Sequence, residues 1–284
     1  GDIQRLIMVH IATVHFQSDK WVGVQKAYLQ RHLKTPHRIY AWLDGVPPVP
    51  ENTFYYSCTE PVTSHAIKLN LLADVIYFAS NRDDDILIFL DGDAFPVADI
   101  EELLREKLKS HRLIAVQRRE NAGDIQPHPC FCATTVGFWK EIKGDWKKGY
   151  RWRNKIGRLV TDVGGNLMTQ LQDKQIEWYP LLISHNVTDH PILFGIYAGA
   201  IYHHGAGFRN PVTRGDLAGA KLSLKEKILA VFPWRYRRVL RNRLAARNSL
   251  LSEQIFNQLQ TRALFEGTCR TEPPSSLTEL ESVT

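Results

Sequence analysis

The fold of this chain is constrained most by the way its first half alternates two kinds of segment. Apolar, β-forming runs (RLIMVHIATV at 5–14, HRIYAWLDG at 37–45, DILIFLDGDAFPV at 85–97, RLIAVQRRE at 112–120) are separated by stretches with helical spacing. Such alternation is the signature of a layered α/β domain built on a buried sheet. WVGVQKAYLQRHL (21–33) reads as a helix with Val22, Ala27, Leu29 and Leu33 inward, and the adjacent prolines of VPPVPEN (46–52) mark a loop. SHAIKLNLLADVIYFASN (64–81) carries Ile67, Leu71, Asp74, Val75 and Phe78 at helical intervals, with Ser64 as its cap. DIEELLREKLKS (99–110) follows as a helix whose acidic first turn suits the helix dipole. From 122 to 160 the regularity falters around a strand CFCATTVGFW (130–139); TDVGGNLMTQLQDK (161–174) resumes helix, and IEWYPLLI (176–183) and GAIYHHGAG (199–207) read as strands.

The 284 residues are enough for a real core, 44% of them hydrophobic and 23% charged, which excludes a fibrous or wholly disordered chain. No apolar run approaches the roughly 20 residues a spanning helix needs. Four cysteines, Cys58, Cys130, Cys132 and Cys269, form no disulfide framework and suit a reducing, cytoplasmic setting. His128, Cys130 and Cys132 offer only three zinc ligands, two of them on one face of a strand, and read better as part of a buried strand.

The run ILIFLDGDAFPV holds the sharpest chemical signal: five apolar residues lead straight into Asp91, Gly92 and Asp93. On a strand, residues i and i+2 share a face, so both carboxylates would project together while Gly92 leaves the other side clear. Two acids so placed repel one another unless a cation or a shared proton lies between them. Oxygen donors suit a hard divalent ion, Mg²⁺ or Mn²⁺, which usually keeps positions for phosphate oxygens. The alternative is a solvated D-G turn, which the return to apolar Phe95, Pro96 and Val97 disfavours.

This pattern resembles the GT-A-fold glycosyltransferases, in particular the glycogenin and lipopolysaccharide galactosyltransferase type, over roughly residues 5 to 215. The resemblance implies a single GT-A (Rossmann-like) nucleotide-sugar-binding domain with a mixed sheet, and a metal-dependent transfer of a sugar from a nucleotide-sugar, UDP-linked by preference, to a saccharide or glycolipid acceptor. It implies that Asp91 and Asp93 bind the metal, Asp91 also approaching the donor ribose. HAIKLNLL places a donor-facing basic residue at Lys68, and TDVGGNLM an aspartate that contacts the transferred sugar or the acceptor at Asp162. IYHHGAGFRNP resembles a segment with a metal-binding histidine and a basic residue for the diphosphate, which falls on Arg209; His203 and His204 both remain candidates for the metal. The K-P-W usual in that family is absent here. Glycines 205 and 207 would let backbone approach phosphates. By position alone, Ala12, Thr13 and Val14 at the first strand's end would shelve the base, and Asp44 at the second would accept from base or ribose. His128 is a candidate for an acceptor hydroxyl.

Two rival readings are a metal-dependent sugar nucleotidyltransferase and a basic, non-enzymatic membrane-binding adaptor. TVHFQSDKW (13–21) lacks the Gly-rich phosphate loop of the former. The adaptor draws on residues 221–247, where nine Lys or Arg and one Glu give a local +8 in a chain of net +6. There Tyr236, Leu240 and Leu244 fall on one helical side with arginines at 237, 238, 241 and 247 around it. That pattern resembles an interfacial helix attracted to an anionic inner membrane face, or else a helix packed on the domain with a solvated basic rim. No nucleic-acid-binding pattern accompanies the charge. The expected organisation is a catalytic domain over 1–220, a basic helical extension over 221–265 and a disordered tail over 266–284.

Overall fold

The computed structural model describes residues 7–155, 157–186, 193–205, 208, 222–231 and 234–261. The chain divides into two compact units, Gly1–Leu182 and Ile183–Thr284. The compositional change near residue 220 falls inside the second unit, and the expected tail over 266–284 lies outside the described residues.

The first unit is a seven-stranded sheet with helices. Its strands are β1 (Val9–Phe16), β2 (His37–Asp44), β3 (Tyr56–Cys58), β4 (Ile86–Asp91), β6 (Leu113–Val116), β7 (His128–Thr135) and β10 (Tyr179–Leu181), in the order β10-β6-β7-β4-β1-β2-β3. β1 runs parallel to β2 and β4, β2 to β3, and β6 to β10; β7 is antiparallel to both its neighbours, β4 and β6. The sheet is therefore mixed, with one reversed strand. β5 (Ala94–Pro96) follows β4 at once, and β8 (Trp152–Arg153) and β9 (Leu159–Val160) form a small hairpin.

The helices are α1 (Val22–His32), α2 (His65–Ala79), α3 (Glu101–Ser110), α4 (Val136–Ile142) and α5 (Gly165–Asp173). Ser64 caps α2 as its sequence requires, its Oγ accepting from the Ile67 amide at 3.3 Å. The buried face of α2 is not the expected one. Ala66, Leu69, Leu72, Ala73 and Ile76 face the core, whereas Ile67, Leu71 and Phe78 are exposed. The helix is apolar on nearly every side, so periodicity could not choose; small Ala66 and Ala73 mark the face that packs with Ala12, Val14, Tyr40 and Trp42 of the sheet. A second correction concerns 130–139: the strand stops at Thr135, whose hydroxyl caps α4 by accepting from the Phe138 amide.

The second unit contains β11 (Ile183–Asn186), β12 (Leu193–Tyr197) and β13 (Ile201–Gly205), an antiparallel run, followed by helices α6 (Leu224–Val231) and α7 (Trp234–Thr261). On α7, Leu240, Leu244 and Ala245 are buried and pack with Leu222, Leu229 and Ala230. Tyr236, expected on the same inward side, is exposed, as are Arg237, Arg238, Arg243 and Arg247. Much of the apolar stripe is thus already covered from within this unit. Among the described residues, no helix is long and apolar enough to cross a membrane.

Candidate metal centre and its surroundings

Because the six other strands run the same way and β7 runs opposite, one edge of the sheet collects the carboxyl ends of β1, β2, β3, β4, β6 and β10 and the start of β7. Open α/β sheets bind ligands at this edge, where strand backbone stops and side chains converge. Asp44, Asp91 and His128 all lie there, on β2, β4 and β7.

Asp91 is the last residue of β4, in register with Val14 of β1. Asp93 is not on that strand: Gly92 and Asp93 form a turn leading into β5, which corrects the expectation of two acids along one strand face. The turn is pinned to β1. The Gly92 amide donates to the Val14 carbonyl at 3.1 Å, and a Cβ on Gly92 would stand 2.5 Å from that oxygen and 2.7 Å from His15 Nδ1. Glycine is required here for close approach, not for an unusual backbone angle.

Gln25 of α1 fixes the turn from the other side. Its fully buried amide nitrogen donates to the Asp91 and Ala94 carbonyls, both at 2.9 Å, spanning the two ends of the turn. Its oxygen accepts from Thr13 Oγ1 at 3.3 Å and His15 Nε2 at 3.2 Å. Burial holds the His15 imidazole down to about 4, the Gln25 bond only partly opposing, so the ring is neutral.

His65, the first residue of α2, places Nε2 3.0 Å from Asp91 Oδ1. Burial works against a charged His65, yet the hydrogen bond to Asp91 and the charges of Asp91 and Asp93 outweigh it despite Lys68, and the ring is lifted above 6.5. One turn on, Lys68 is buried rather than solvated and pairs with Asp44, its ammonium 5.3 Å from the Phe16 ring. Two residues singled out for the nucleotide are therefore brought together. Ala12 and Val14 are core residues under α2, and Thr13 is engaged by Gln25.

Beyond β6 lies a second polar group. Arg118 reaches Asp124 at 3.3 Å and Asp162 at 3.4 Å, and Asn121 donates to Asp124 at 2.9 Å. Burial raises the Asp124 carboxyl above its ordinary value, with Arg118 opposing. Asp162 stands ahead of α5 and accepts from the Val163 amide, while the cap position belongs to Gly164 at φ +91°. His128 is a buried strand residue whose Nδ1 accepts from the Cys130 amide at 3.1 Å. Burial pushes the Cys130 and Cys132 thiols well up, so neither is a ready thiolate ligand.

In the second unit, β13 carries His203 and His204, both buried. Both ring nitrogens of His204 are occupied: Nδ1 lies 2.9 Å from the Tyr202 hydroxyl and Nε2 3.1 Å from Ser252 Oγ on α7. Gly205 closes the strand at φ +66°. Gly207 and Arg209 lie outside the described residues.

No family model matches the chain, and no curated protein matches it. Its neighbours among solved structures are glycosyltransferases. The galactosyltransferase LgtC in complex with donor and acceptor sugar analogues is 10% identical, with a TM-score of 0.33 over 61% of this chain and 73% of that one. The apo-form glycosyltransferase GlyE of Streptococcus pneumoniae TIGR4 is 15% identical, with a TM-score of 0.34 over 49% of this chain and 36% of that one. The bifunctional glycosyltransferase WbbM, also apo, is 15% identical, with a TM-score of 0.33 over 50% of this chain and 34% of that one. The chain thus spans about a third of the latter two. Likenesses this distant carry no weight for function, which has to be read from the residues at the sheet edge.

Sequence reasoning missed three residues of this edge. His65 stands three positions before Lys68, the spacing that puts both on one helix face. Gln25 occupies an inward position between Val22 and Leu29, and a polar residue in an apolar stripe was the available signal. Arg118, one of two adjacent arginines after β6, carried no pattern that set it apart.

Proposed function

We propose that this chain is a metal-dependent glycosyltransferase of the GT-A type, transferring a sugar from a UDP-linked donor to a saccharide or glycolipid acceptor. The observation that carries the reading is the pinned Asp91-Gly92-Asp93 turn at the carboxyl edge of the sheet, held by β1 and Gln25 and flanked by His65. Two carboxylates fixed by backbone contacts on either side are poorly placed to relieve their repulsion by moving apart, which suits a cation-binding role.

The donor types fit a hard divalent ion, Mn²⁺ or Mg²⁺: Asp91 and Asp93 are proposed to give one oxygen each and His203 a ring nitrogen. His203 is preferred to His204, whose two nitrogens are engaged elsewhere. When bound, such an ion would neutralise charge developing on the departing diphosphate. His65 orients Asp91 through its Oδ1, and the Lys68–Asp44 pair fixes the end of β2 where the nucleoside would lie. Asp162 and His128 are proposed to face the sugar and the acceptor, and Gly205, Gly207 and Arg209 the diphosphate. Ala12, Thr13 and Val14, with side chains already committed, are proposed as the shelf beneath the base.

The exposed arginines of α7 suit an acceptor held at an anionic inner membrane surface, each basic residue near such a surface adding on the order of 1 kcal/mol. Calorimetry with UDP-, GDP- and CDP-sugars, with and without Mn²⁺, tests the core of the reading. Metal-dependent binding of a UDP-sugar, lost on Asp93→Ala, is expected. Binding of none of them, or binding that survives Asp93→Ala with Mn²⁺ dependence unaltered, rejects it.

A further inference from the structure

We propose that Gln126 is a sugar-recognition residue, its buried amide paired with hydroxyl groups of the donor's sugar. The inference rests on the glycosyltransferase reading and assigns a site within it. Gln126 is fully buried, and both its Oε1 and its Nε2 lack a hydrogen-bond partner among the described residues. Exchanging the two amide atoms would not cure this, since neither is satisfied. An amide so buried is costly unless something supplies both an acceptor and a donor, and folded proteins rarely leave one in that state.

Its surroundings indicate what that something is. A Cβ built on Gly164 would lie 3.4 Å from Gln126 Cγ and 2.2 Å from the Pro127 carbonyl, so the segment carrying Asp162 passes directly against Gln126. Asp162 in turn shares Arg118 with Asp124. A carboxylate, a guanidinium and a free amide offer acceptors and donors without the net cationic charge a phosphate would call for. That mixture suits vicinal hydroxyls, each of which donates and accepts. The position agrees: Cys130, four residues on, is near enough to sense the charges of Asp91, Asp93, Arg118 and Glu120. A sugar attached to a diphosphate at the Asp91–Asp93 turn is the first polyol to reach this group.

The test compares UDP with UDP-glucose and UDP-galactose, all with Mn²⁺, on the wild-type chain and on Gln126→Met. Methionine keeps the volume and removes the orphaned polarity, so a side chain with only a structural role would leave binding unchanged. The expected result is an unchanged or raised melting temperature and unchanged UDP affinity. The affinity for whichever UDP-sugar wild type prefers should fall about tenfold or more. Gln126→Asn, a shorter amide, should show the same split should the methionine variant fold poorly. Equal UDP-sugar affinity in wild type and a folded variant overturns this assignment while leaving the glycosyltransferase reading intact. Failure of wild type to bind UDP with Mn²⁺ overturns both.

Discussion

Replacing Gly92 by alanine tests whether the Asp91–Asp93 turn is held rigidly against β1. The added Cβ would lie 2.5 Å from the Val14 carbonyl oxygen and 2.7 Å from His15 Nδ1, both inside the 3.0 Å that real Cβ contacts respect. The nearer obstacle is strand backbone and cannot swing aside, so the turn must retreat by at least 0.5 Å, the difference between 3.0 and 2.5 Å. Forcing a methyl into such a contact costs about 1–3 kcal/mol, and stretching the Gly92 amide bond to Val14 costs up to about 1 more. For a chain of this size that corresponds to a fall in melting temperature of roughly 2–7 °C. The same retreat separates the two carboxylates from their fitted positions, and Mn²⁺ affinity should drop about tenfold or more. Calorimetric melting and Mn²⁺ titration followed by electron paramagnetic resonance read the two effects. Gly23→Ala is the control: that glycine sits on α1 with nothing within 4 Å of its would-be Cβ, so alanine should stabilise slightly. A Gly92→Ala protein that melts within about 1 °C of wild type and binds Mn²⁺ equally would refute the account of a pinned turn.

Gln25→Leu leaves the Asp91 and Ala94 carbonyls, the Thr13 hydroxyl and the His15 ring without their shared partner, a loss of about 2–5 kcal/mol. Gln25→Glu should be no better, since a carboxylate cannot donate to two carbonyls; a melting temperature equal to wild type in either variant would count against the clamp. Acidification should destabilise the fold through His10 and His15, both held below 6.5 chiefly by burial. Above 6.5 both are neutral folded and unfolded, so they add no pH dependence; below it the unfolded chain takes up protons that the folded chain refuses. For His15 the loss accumulates from 6.5 down to about 4 and amounts to about 3 kcal/mol. Urea unfolding across pH 7 to 4 should show it, and His10→Gln should flatten part of the slope; an unchanged slope would contradict the burial argument for His10.

The sequence by itself determined the alternation of strand and helix, the Ser64 cap, and the placement of two acids directly behind a buried strand. These are local: period, capping chemistry and the exclusion of charge from a strand core act within a few residues. It did not contain the short elements β3, β8, β9 and β12, whose two to five residues have too little length for a period to show. Nor did it choose the buried face of α2, where apolar residues ring the helix and only the sheet's contact with Ala66 and Ala73 decides. Tertiary structure alone put Gln25 under the turn, paired Lys68 with Asp44, occupied both nitrogens of His204 and left the amide of Gln126 without a partner among the described residues. Each of these depends on which groups, tens of residues apart, share a buried volume where an unmet hydrogen bond is costly, and no local pattern encodes that.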